Sequence, residues 1–448
     1  MSDVVPTGRA RAPAQGRRMT PSRRRVALLA AVPALVLLTT LSACTSKSIG
    51  SNDKSPIASG SQGAPDGSQT STAPVTTAPV LPKAVITATP AAGTSVSPVQ
   101  PVTVAVTDGK LTSVKLLNPE GKAVTGALAA DGTSWKSIEE LGYSKTYSLS
   151  AVAVDADGKP TTKKTHFTTL TPANMTMPYL NTTGGQTLVN GETYGVGIVP
   201  VVHFDEAVTD KKAAEKALVV RTSPHVSGIW NWVSDTDAHW RPRGFYQPGT
   251  HVIVSANVYG VRVGPGLYGQ EDKSVSFKIG AKHLSIADDL THTVKVYFSG
   301  KLVRSMPTSM GRGGFVQGKN GQIPLWTMPG TYTVIAHENP AVMSSDSYGL
   351  PAGSPAGYAP ENVYWATKIS TDGIYLHELD ATVWAQGNTD VSHGCLNMNL
   401  DNAKWYYQHA LVGDVVQVVH TGGVKVQIYQ NGDWTAPWPT WVAGSALH

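Results

Sequence analysis

Residues 392–399 read SHGCLNMN, and the cysteine in this stretch is one of only two in the 448-residue chain. A lone cysteine is most often a small buried core residue, so its context must decide whether it is reactive. Here a histidine and a glycine come directly before Cys395. This arrangement favours a reactive thiol and directs attention to the other cysteine, Cys44, as its potential disulfide partner.

Cys44 ends a segment that is typical of protein export. Three arginines at 23–25 precede a 16-residue apolar run at 26–41, and small residues follow. This order is that of an export signal, although the run is also compatible with a signal anchor. LSAC at 41–44 resembles the lipobox of bacterial lipoproteins, whose cysteine is lipidated. If Cys44 carries a lipid, Cys395 has no intrachain partner, which indicates a reactive thiol or intermolecular pairing.

We therefore predict an export or lipoprotein signal at residues 1–43 and a disordered tether at 44–82. The tether is rich in Ser, Thr, Gly and Pro and has no apolar periodicity. A flexible chain of this length reaches roughly 30–35 Å. The expected location is the outer face of the cell membrane, with the protein held there by a lipid at Cys44.

The excess of basic residues belongs to the targeting segment. Residues 1–43 hold seven arginines and one aspartate, a net charge of +6, whereas the whole chain carries +5. The remainder has a net charge of about −1, so a nucleic-acid partner has no electrostatic support. With 44 glycines, 30 prolines and only six phenylalanines, the composition is typical of β-structure with many turns.

Residues 83–171 and 172–280 each predict an immunoglobulin-like β-sandwich. In the first, VQPVTVAVTDGKLTSVKLL (99–117) alternates apolar and polar residues around an Asp-Gly turn, and residues 147–169 repeat the pattern. Short alternating strands with frequent turn residues indicate such sandwiches. The second region has a similar strand pattern at 194–208. Neither region is assigned catalysis, because its histidines lack metal-ligand spacing.

A third β-rich unit with one main helix is predicted at residues 281–420. Its helix pattern, LDNAKWYYQHAL, begins near Asn399 or Asp401. Between two of its strands lie the 25 residues 338–362, which are rich in Gly, Ser and Pro. A loop of this length within a domain is usually a lid or a binding loop.

The C-terminal residues 421–448 are rich in tryptophan. Trp434, Trp438 and Trp441 lie close together in GDWTAPWPTWVAGSALH. Buried indoles that clamp a tail onto its neighbour are a more ordinary explanation than a sugar-stacking platform. We therefore expect this extension to pack on the third unit.

Two histidines are candidates for the general base that would serve Cys395. His393 lies two residues before it, and His377 lies eighteen residues upstream in IYLHELD. Strand alternation places His377 and Tyr375 on one face. The backbone amides of a tight SHGC turn can serve as oxyanion donors. If the turn enters a helix, the helix N-terminus lowers the thiol pKa to roughly 3.5–7.5, and the thiol is largely ionised at neutral pH.

His377 together with Ser-His-Gly-Cys-Leu-Asn at 392–397 resembles the signature of bacterial L,D-transpeptidases. In that family an upstream histidine is followed, at a similar interval, by [Ser/Thr]-His-Gly-Cys, an aliphatic residue and Asn or Arg. The resemblance continues through SSDSYGLPAGSPAGY (344–358), YWATKISTDGIYLHE (364–378) and residues 385–408. Two immunoglobulin-like domains behind a lipoprotein signal fit the larger members. The resemblance implies that the third unit is an L,D-transpeptidase catalytic domain.

The resemblance also implies roles for the residues of the motif. Cys395 would be the nucleophile and His377 the general base, while His393 would mainly shape the site. The backbone amides of Gly394 and Cys395 would hold the oxyanion, together with the hydroxyl of Tyr358 from the lid.

Further residues are implied to contact the substrate. Met343 would line the pocket beneath the lid, and Asn397 would bind the stem peptide. The other residues with implied roles in substrate binding are Asp372, Gly373 and Ser392.

The sequence departs from the family pattern in two places. Glu378 follows the base histidine where many members have serine. Because the family's orienting group is the backbone carbonyl at this position, catalysis should survive the change. LDATVWAQ (379–386) stands where relatives place Pro-Trp sooner, which affects the shape of the acceptor side.

The implied reaction is acyl transfer in peptidoglycan, with no cofactor and no metal. Cys395 would attack the carbonyl of the third residue of a tetrapeptide stem and release the terminal D-alanine. The thioester would then pass its acyl group to a side-chain amine of a neighbouring stem, which gives a 3→3 cross-link. The implied partners are donor and acceptor stem peptides, the membrane, and carbapenem β-lactams as inhibitors, with the folded domains reaching into the cell wall.

Other interpretations remain open. The same Cys–His pair with water as acceptor would make the protein a carboxypeptidase or endopeptidase. A sortase would need an arginine downstream of the thiol, and residues 395–420 contain none. A degenerate domain could bind wall peptides without catalysis. Zinc held by His377, His393 and Cys395 would need a fourth ligand, and the spacing offers no clear one.

Overall fold

Short strands are the main secondary structure of residues 81–448, the part of the chain that the computed structural model describes. Buried residues alternate with exposed or half-buried ones along many of them, as in residues 146–154, because successive side chains point to opposite faces. The mainly β fold predicted from the sequence is confirmed. The predicted signal (1–43), nearly all of the tether (44–82) and Cys44 lie outside the described residues.

The first β-domain (residues 83–171) is a sandwich of two four-stranded sheets. Its strands are β1 (Val85–Thr89), β2 (Gly93–Val96), β3 (Thr103–Thr107), β4 (Lys110–Leu117), β5 (Gly126–Leu128), β6 (Ser134–Ser137), β7 (Thr146–Val154) and β8 (Pro160–Thr169). The sheet orders are β1-β3-β6-β5 and β2-β8-β7-β4. Trp135 of one sheet and Leu116 and Phe167 of the other belong to one core.

The second β-domain (residues 172–280) is also built from two four-stranded sheets, with a small third sheet. Its elements are β9 (Asn174–Thr176), β10 (Pro178–Thr182), β11 (Thr193–Tyr194), β12 (Pro200–Phe204), α1 (Lys211–Ala217), β13 (Leu218–Ser223), β14 (Gly228–Trp232), β15 (Asp237–Pro242), β16 (His251–Ala256), β17 (Arg262–Gly264), β18 (Leu267–Gly269) and β19 (Lys273–Ile279). The orders are β10-β12-β15-β14, β11-β19-β16-β13 and β17-β18-β9. Its core includes Val415 of the third domain, so the two domains share buried apolar contacts.

The third domain (residues 281–420) combines two main sheets with one helix. Its elements are β20 (His283–Asp288), β21 (Thr293–Phe298), β22 (Lys301–Pro307), β23 (Phe315–Gly318), β24 (Gly321–Pro324), β25 (Gly330–Thr333), β26 (Ala336–Glu338), β27 (Ala341–Met343), β28 (Glu361–Val363), β29 (Ala366–Lys368), β30 (Tyr375–Glu378), β31 (Leu396–Met398), α2 (Leu400–His409) and β32 (Val415–Val419). The main orders are β22-β21-β20-β32-β25 and β26-β29-β30-β31, and β23-β24 and β27-β28 form two-stranded ribbons. Both main sheets and α2 contribute to one core.

Helix α2 begins where the sequence predicts. The side chain of Asn399 accepts a hydrogen bond from the backbone N–H of Asn402, which is the N-cap arrangement that satisfies a free amide of the first turn. Ala403 and Tyr406 face the core. The ten residues of α2 make it the longest of the three helices in the described part of the chain, and no helix there has the length and apolar character to cross a membrane.

The prediction for residues 421–448 needs correction, because the tryptophans pack on the second β-domain. The indole N–H of Trp441 donates to the carbonyl of Ile229 at 3.0 Å, and the rings of Trp434, Trp438 and Trp441 (on or near α3, Trp438–Ala443) lie 4.5–5.3 Å from the guanidinium of Arg241. Burial lowers the pKa of Arg241 to about 10, so it stays charged at neutral pH and the indole faces stabilise it. The extension also contacts the third domain, where Asn431 donates to the carbonyls of Thr333 and Ile369 and the hydroxyl of Thr435 accepts from the backbone N–H of Thr331.

Candidate active site

Two adjacent strands bring Cys395 and His377 together. Strands β30 and β31 pair in parallel, with Leu376 opposite Leu396 and His377 opposite Asn397. Side chains alternate along each strand, so His377 shares a face of the sheet with Cys395, which directly precedes β31. Neighbouring strands lie about 4.8 Å apart, which makes the thiol and the imidazole diagonal neighbours on one face.

His377 is oriented as a proton acceptor. Its Nδ1 donates to the backbone carbonyl of Glu378 at 2.8 Å, so its Nε2 carries the lone pair. Burial lowers the pKa of His377 to about 4, which keeps the ring neutral at physiological pH. The side chain of Glu378 instead accepts from the backbone N–H of Asp380. The residue after the histidine therefore orients the ring through its backbone, and the change from serine to glutamate leaves this contact in place.

The thiol of Cys395 is neutral in the resting protein, contrary to the prediction of a largely ionised thiol. Dense protein around the sulfur raises the pKa of Cys395 to about 11, although the residue keeps some solvent exposure, and the S–H donates to the carbonyl of Gly373 at 3.5 Å. The predicted helix dipole does not act here. Strand β31 separates Cys395 from α2, which begins at Leu400, and a helix dipole acts only within its first turn.

The alkylation rate of Cys395 is therefore expected to rise steeply with pH. Because its pKa of about 11 lies above the whole range, the thiolate fraction and the rate with iodoacetamide should increase about 100-fold from pH 7 to pH 9. The measurement is peptide mass spectrometry at Cys395, because Cys44 is a second thiol in the chain. A plateau above pH 7 would contradict this prediction and indicate a thiolate–imidazolium pair at rest.

His393 faces the lid. Its Nε2 donates to the carbonyl of Ala356 at 2.7 Å, and its ring lies 5.3 Å from that of Tyr358 and 6.4 Å from that of Tyr348. The carbonyl can only accept, so Nε2 of His393 carries a proton and cannot take another from the thiol. Of the two candidate histidines, His377 therefore has the geometry of a base, and His393 connects the SHGC turn to the lid.

The lid (residues 338–362) is a folded hairpin. Strands β27 and β28 pair at its base, and the hydroxyl of Ser345 bonds both the carbonyl and the N–H of Tyr358. Burial raises the pKa of Tyr358, so its hydroxyl stays protonated and can donate. Met343 packs with Cys395 in a small apolar cluster that includes Tyr375. Met343 and Cys395 therefore pack against the same cluster, within the site.

The SHGC turn differs from the prediction at one oxyanion donor. Gly394 has a φ of +144°, a backbone conformation that favours glycine. Its N–H donates to the Ser392 hydroxyl at 3.0 Å, and that hydroxyl donates to the carbonyl of Cys395 at 2.7 Å. The Gly394 amide is therefore engaged within the turn, and the amide of Cys395 and the hydroxyl of Tyr358 remain as candidate donors.

Comparison with known proteins identifies the family. A sequence model of the L,D-transpeptidase catalytic domain matches residues 283–418, and one of a bacterial Ig domain matches residues 93–262. L,D-transpeptidase 2 of Mycobacterium tuberculosis (strain CDC 1551 / Oshkosh) is 41% identical over 347 residues, which cover 77% of this chain and 81% of that protein. The chain belongs to the L,D-transpeptidase family.

Two further proteins are similar to this chain. L,D-transpeptidase 5 of Mycobacterium tuberculosis (strain ATCC 25618 / H37Rv) is 35% identical over 362 residues, which cover 79% of this chain and 74% of that protein. The structure of the LD transpeptidase LdtMt1 in complex with imipenem has 29% sequence identity, a TM-score of 0.44, and coverage of 54% of this chain and 99% of that chain.

In this L,D-transpeptidase the Asp372–Gly373 turn lies beside the thiol and is braced from outside the third domain. The amide of Gln430 donates to the carboxylate of Asp372 at 2.6 Å, and the hydroxyl of Thr371 donates to the carbonyl of Tyr429 at 2.8 Å. The C-terminal extension therefore supports the turn whose Gly373 carbonyl contacts Cys395.

Asn397 is held by its backbone and buried. It exchanges both backbone hydrogen bonds with Ser309, at 2.9 and 3.1 Å, and its carbonyl also accepts from the hydroxyl of Thr308. Its side chain shares a face of the sheet with His377 and Cys395. Ser309 and Thr308 were not predicted, because no local pattern marks a hydroxyl that acts on a segment some 90 residues further along the chain.

A metal site at the cysteine has no support in the described residues. The one group of His, Cys, Asp and Glu side chains in residues 81–448 with ligand atoms close enough to hold an ion is Asp289, His292 and Asp390. It contains none of the three residues of the zinc alternative. Asp390 instead accepts from the Met310 backbone N–H. Burial of Asp289, together with the neighbouring Asp390 carboxyl, raises the pKa of Asp289 to about 7, which fits a proton shared between the two carboxyl groups.

Proposed function

We propose that this L,D-transpeptidase forms 3→3 peptidoglycan cross-links through a thioester on Cys395. The observation that carries the proposal is that the thiol of Cys395 and the imidazole of His377 are neighbours on one face of the sheet. The ring of His377 is neutral, and its bond to the Glu378 carbonyl leaves Nε2 free to accept a proton. A cysteine is a strong nucleophile once an adjacent base removes its proton.

In the acylation step the imidazole Nε2 of His377 takes the thiol proton as the sulfur bonds to the carbonyl carbon of the third stem residue. The carbonyl electron pair moves to the oxygen, where the Cys395 amide and the Tyr358 hydroxyl can donate to it. When the intermediate collapses, the C–N bond breaks, and the leaving D-alanine nitrogen takes the proton from the imidazole. The product is a thioester and free D-alanine.

In the second step a side-chain amine of the acceptor stem attacks the thioester. The new amide bond forms as the C–S bond breaks, and the amine proton returns through His377 to the sulfur. The enzyme is regenerated, and the number of amide bonds is unchanged over the cycle. Near-neutral exchange of this kind suits a location without ATP.

The acceptor distinguishes this proposal from its alternatives. After incubation with a disaccharide-tetrapeptide, mass spectrometry should find a cross-linked dimer that lacks one D-alanine. Tripeptide alone would instead support a carboxypeptidase that uses water. If neither product forms and the peptide still binds, the protein is a wall-binding lipoprotein without catalysis.

The N-terminal sequence supports a proposal for the location. We expect export, lipidation at Cys44 and a flexible tether that holds the folded domains at the outer face of the cell membrane, within reach of the cell wall. Carbapenems present a strained carbonyl to the same thiol, and we expect them to acylate Cys395.

A further inference from the structure

A buried threonine from a distant segment holds the peptide unit that joins Gly394 to Cys395. Thr327 is fully buried in the connection between β24 and β25. Its Oγ1 accepts from the N–H of Gly311 at 2.9 Å and donates to the carbonyl of Gly394 at 2.8 Å. The hydroxyl has one proton, and the accepted bond from Gly311 leaves that proton for Gly394.

The direction of the Gly394 carbonyl also fixes the direction of the next amide. A trans peptide unit is planar, so the C=O of Gly394 and the N–H of Cys395 point in opposite directions. Glycine has no side chain to restrict this unit, and contacts must therefore supply its orientation. Ser392 holds the groups on either side, the Gly394 N–H and the Cys395 carbonyl, which leaves Thr327 to act on the unit between them.

We infer that Thr327 is a positioning residue for acyl transfer: it aims the Cys395 amide at the oxyanion that forms on the substrate carbonyl. This inference rests on the proposed function of Cys395. The Thr327 hydroxyl bonds Gly311 and Gly394, so it acts on the site through the Gly394 peptide unit. Its effect is confined to the stage at which negative charge develops on a carbonyl oxygen, because only then does the amide direction matter.

Two reactions of the Cys395 sulfur can distinguish a positioning role of Thr327 from a role in stabilising the fold. Acylation by imipenem passes through an oxyanion: sulfur bonds to the β-lactam carbonyl carbon, the ring C–N bond breaks, and the ring nitrogen takes the proton. Alkylation by iodoacetamide displaces iodide at a saturated carbon and forms no oxyanion. Loss of amide orientation should therefore slow the first reaction and leave the second unchanged.

The test compares Thr327→Val with Thr327→Ser in the full chain. Valine keeps the shape and removes the hydroxyl, so we expect imipenem acylation of Cys395 to slow about 10- to 100-fold, with alkylation within about threefold of the unmodified protein. Serine keeps the hydroxyl, so acylation should return to within about threefold. Thr308→Val is the matched control, because the buried hydroxyl of Thr308 donates to the carbonyl of Asn397 and not to that of Gly394. In this variant the ratio of the acylation rate to the alkylation rate should stay unchanged.

Several results would overturn the inference. It fails if Thr327→Val acylates at the normal rate, if both reactions slow in parallel, if Thr327→Ser does not recover, or if Thr308→Val changes the rate ratio equally. Should the valine variant not fold, Thr327→Ala replaces it under the same criteria. If the unmodified protein is itself not acylated at Cys395, the proposed function fails, and this outcome is distinct from the others.

Discussion

Replacement of Cys395 with alanine is expected to abolish D-alanine release from a tetrapeptide donor. Without the sulfur no thioester forms, and the remaining groups of the site cannot replace a nucleophile, so the rate should fall by about 10⁴-fold or more. The measurement is the amount of D-alanine and cross-linked dimer formed from a disaccharide-tetrapeptide. The fold should survive, because Cys395 makes only a weak hydrogen bond to Gly373 and packs at the margin of a small cluster.

The matched control is Cys44→Ser, which alters the other cysteine of the chain. In detergent solution this variant should release D-alanine at the normal rate, since Cys44 belongs to the predicted anchor. Turnover by the Cys395→Ala protein at a rate near that of the unmodified protein would reject the assignment of the nucleophile.

Replacement of His377 with glutamine is expected to slow acylation by about 10³-fold, since general-base catalysis contributes 10²- to 10⁴-fold in enzymes. The thiol is neutral at rest, with its pKa raised by burial to about 11, so acylation depends on a base to remove the proton. The measurement is the rate constant for imipenem acylation of Cys395 at pH 7. The deficit should shrink as pH rises, because hydroxide increasingly supplies the thiolate without the imidazole.

His393→Gln is the matched control. The glutamine amide can still donate to the carbonyl of Ala356, so this variant should keep the lid contact and lose less than about tenfold in rate. A larger loss in His393→Gln than in His377→Gln would move the base to His393. A loss in His377→Gln that stays constant from pH 7 to pH 9 would mean that the imidazole acts in another way.

The parts of the site that the sequence predicts are those that local periodicity and a compact motif determine. Alternation along β30 placed His377 on one face, the cap at Asn399 marked the start of α2, and the composition of residues 338–362 indicated a lid. Each of these features depends on residues that lie close together along the chain. They follow from rules that act over short distances along the chain.

The parts that the sequence does not predict depend on contacts between distant segments. The hydroxyl of Thr327 bonds the carbonyl of Gly394 across 67 residues. One exception is local: the Gly394 amide, predicted as an oxyanion donor, donates to the hydroxyl of Ser392, and the motif does not show the direction of that hydroxyl. The thiol pKa was predicted in the wrong direction because burial, which depends on the whole domain, raises it. The helix N-terminus that the motif suggested does not lie next to Cys395, since strand β31 comes between them.

The contacts of Trp441 have a consequence for how the molecule is assembled. The indole of Trp441 meets the carbonyl of Ile229 across 212 residues, and Asn231 of the same strand donates to the Trp441 carbonyl. Strand β14 is therefore synthesised long before the residues that cover it, and the second β-domain must wait with an open apolar face until the entire third domain has followed. High sequence separation of this kind slows folding. We expect the last step of maturation to be the docking of this segment, which makes the earlier domain dependent on a part of the chain that comes after the catalytic residues.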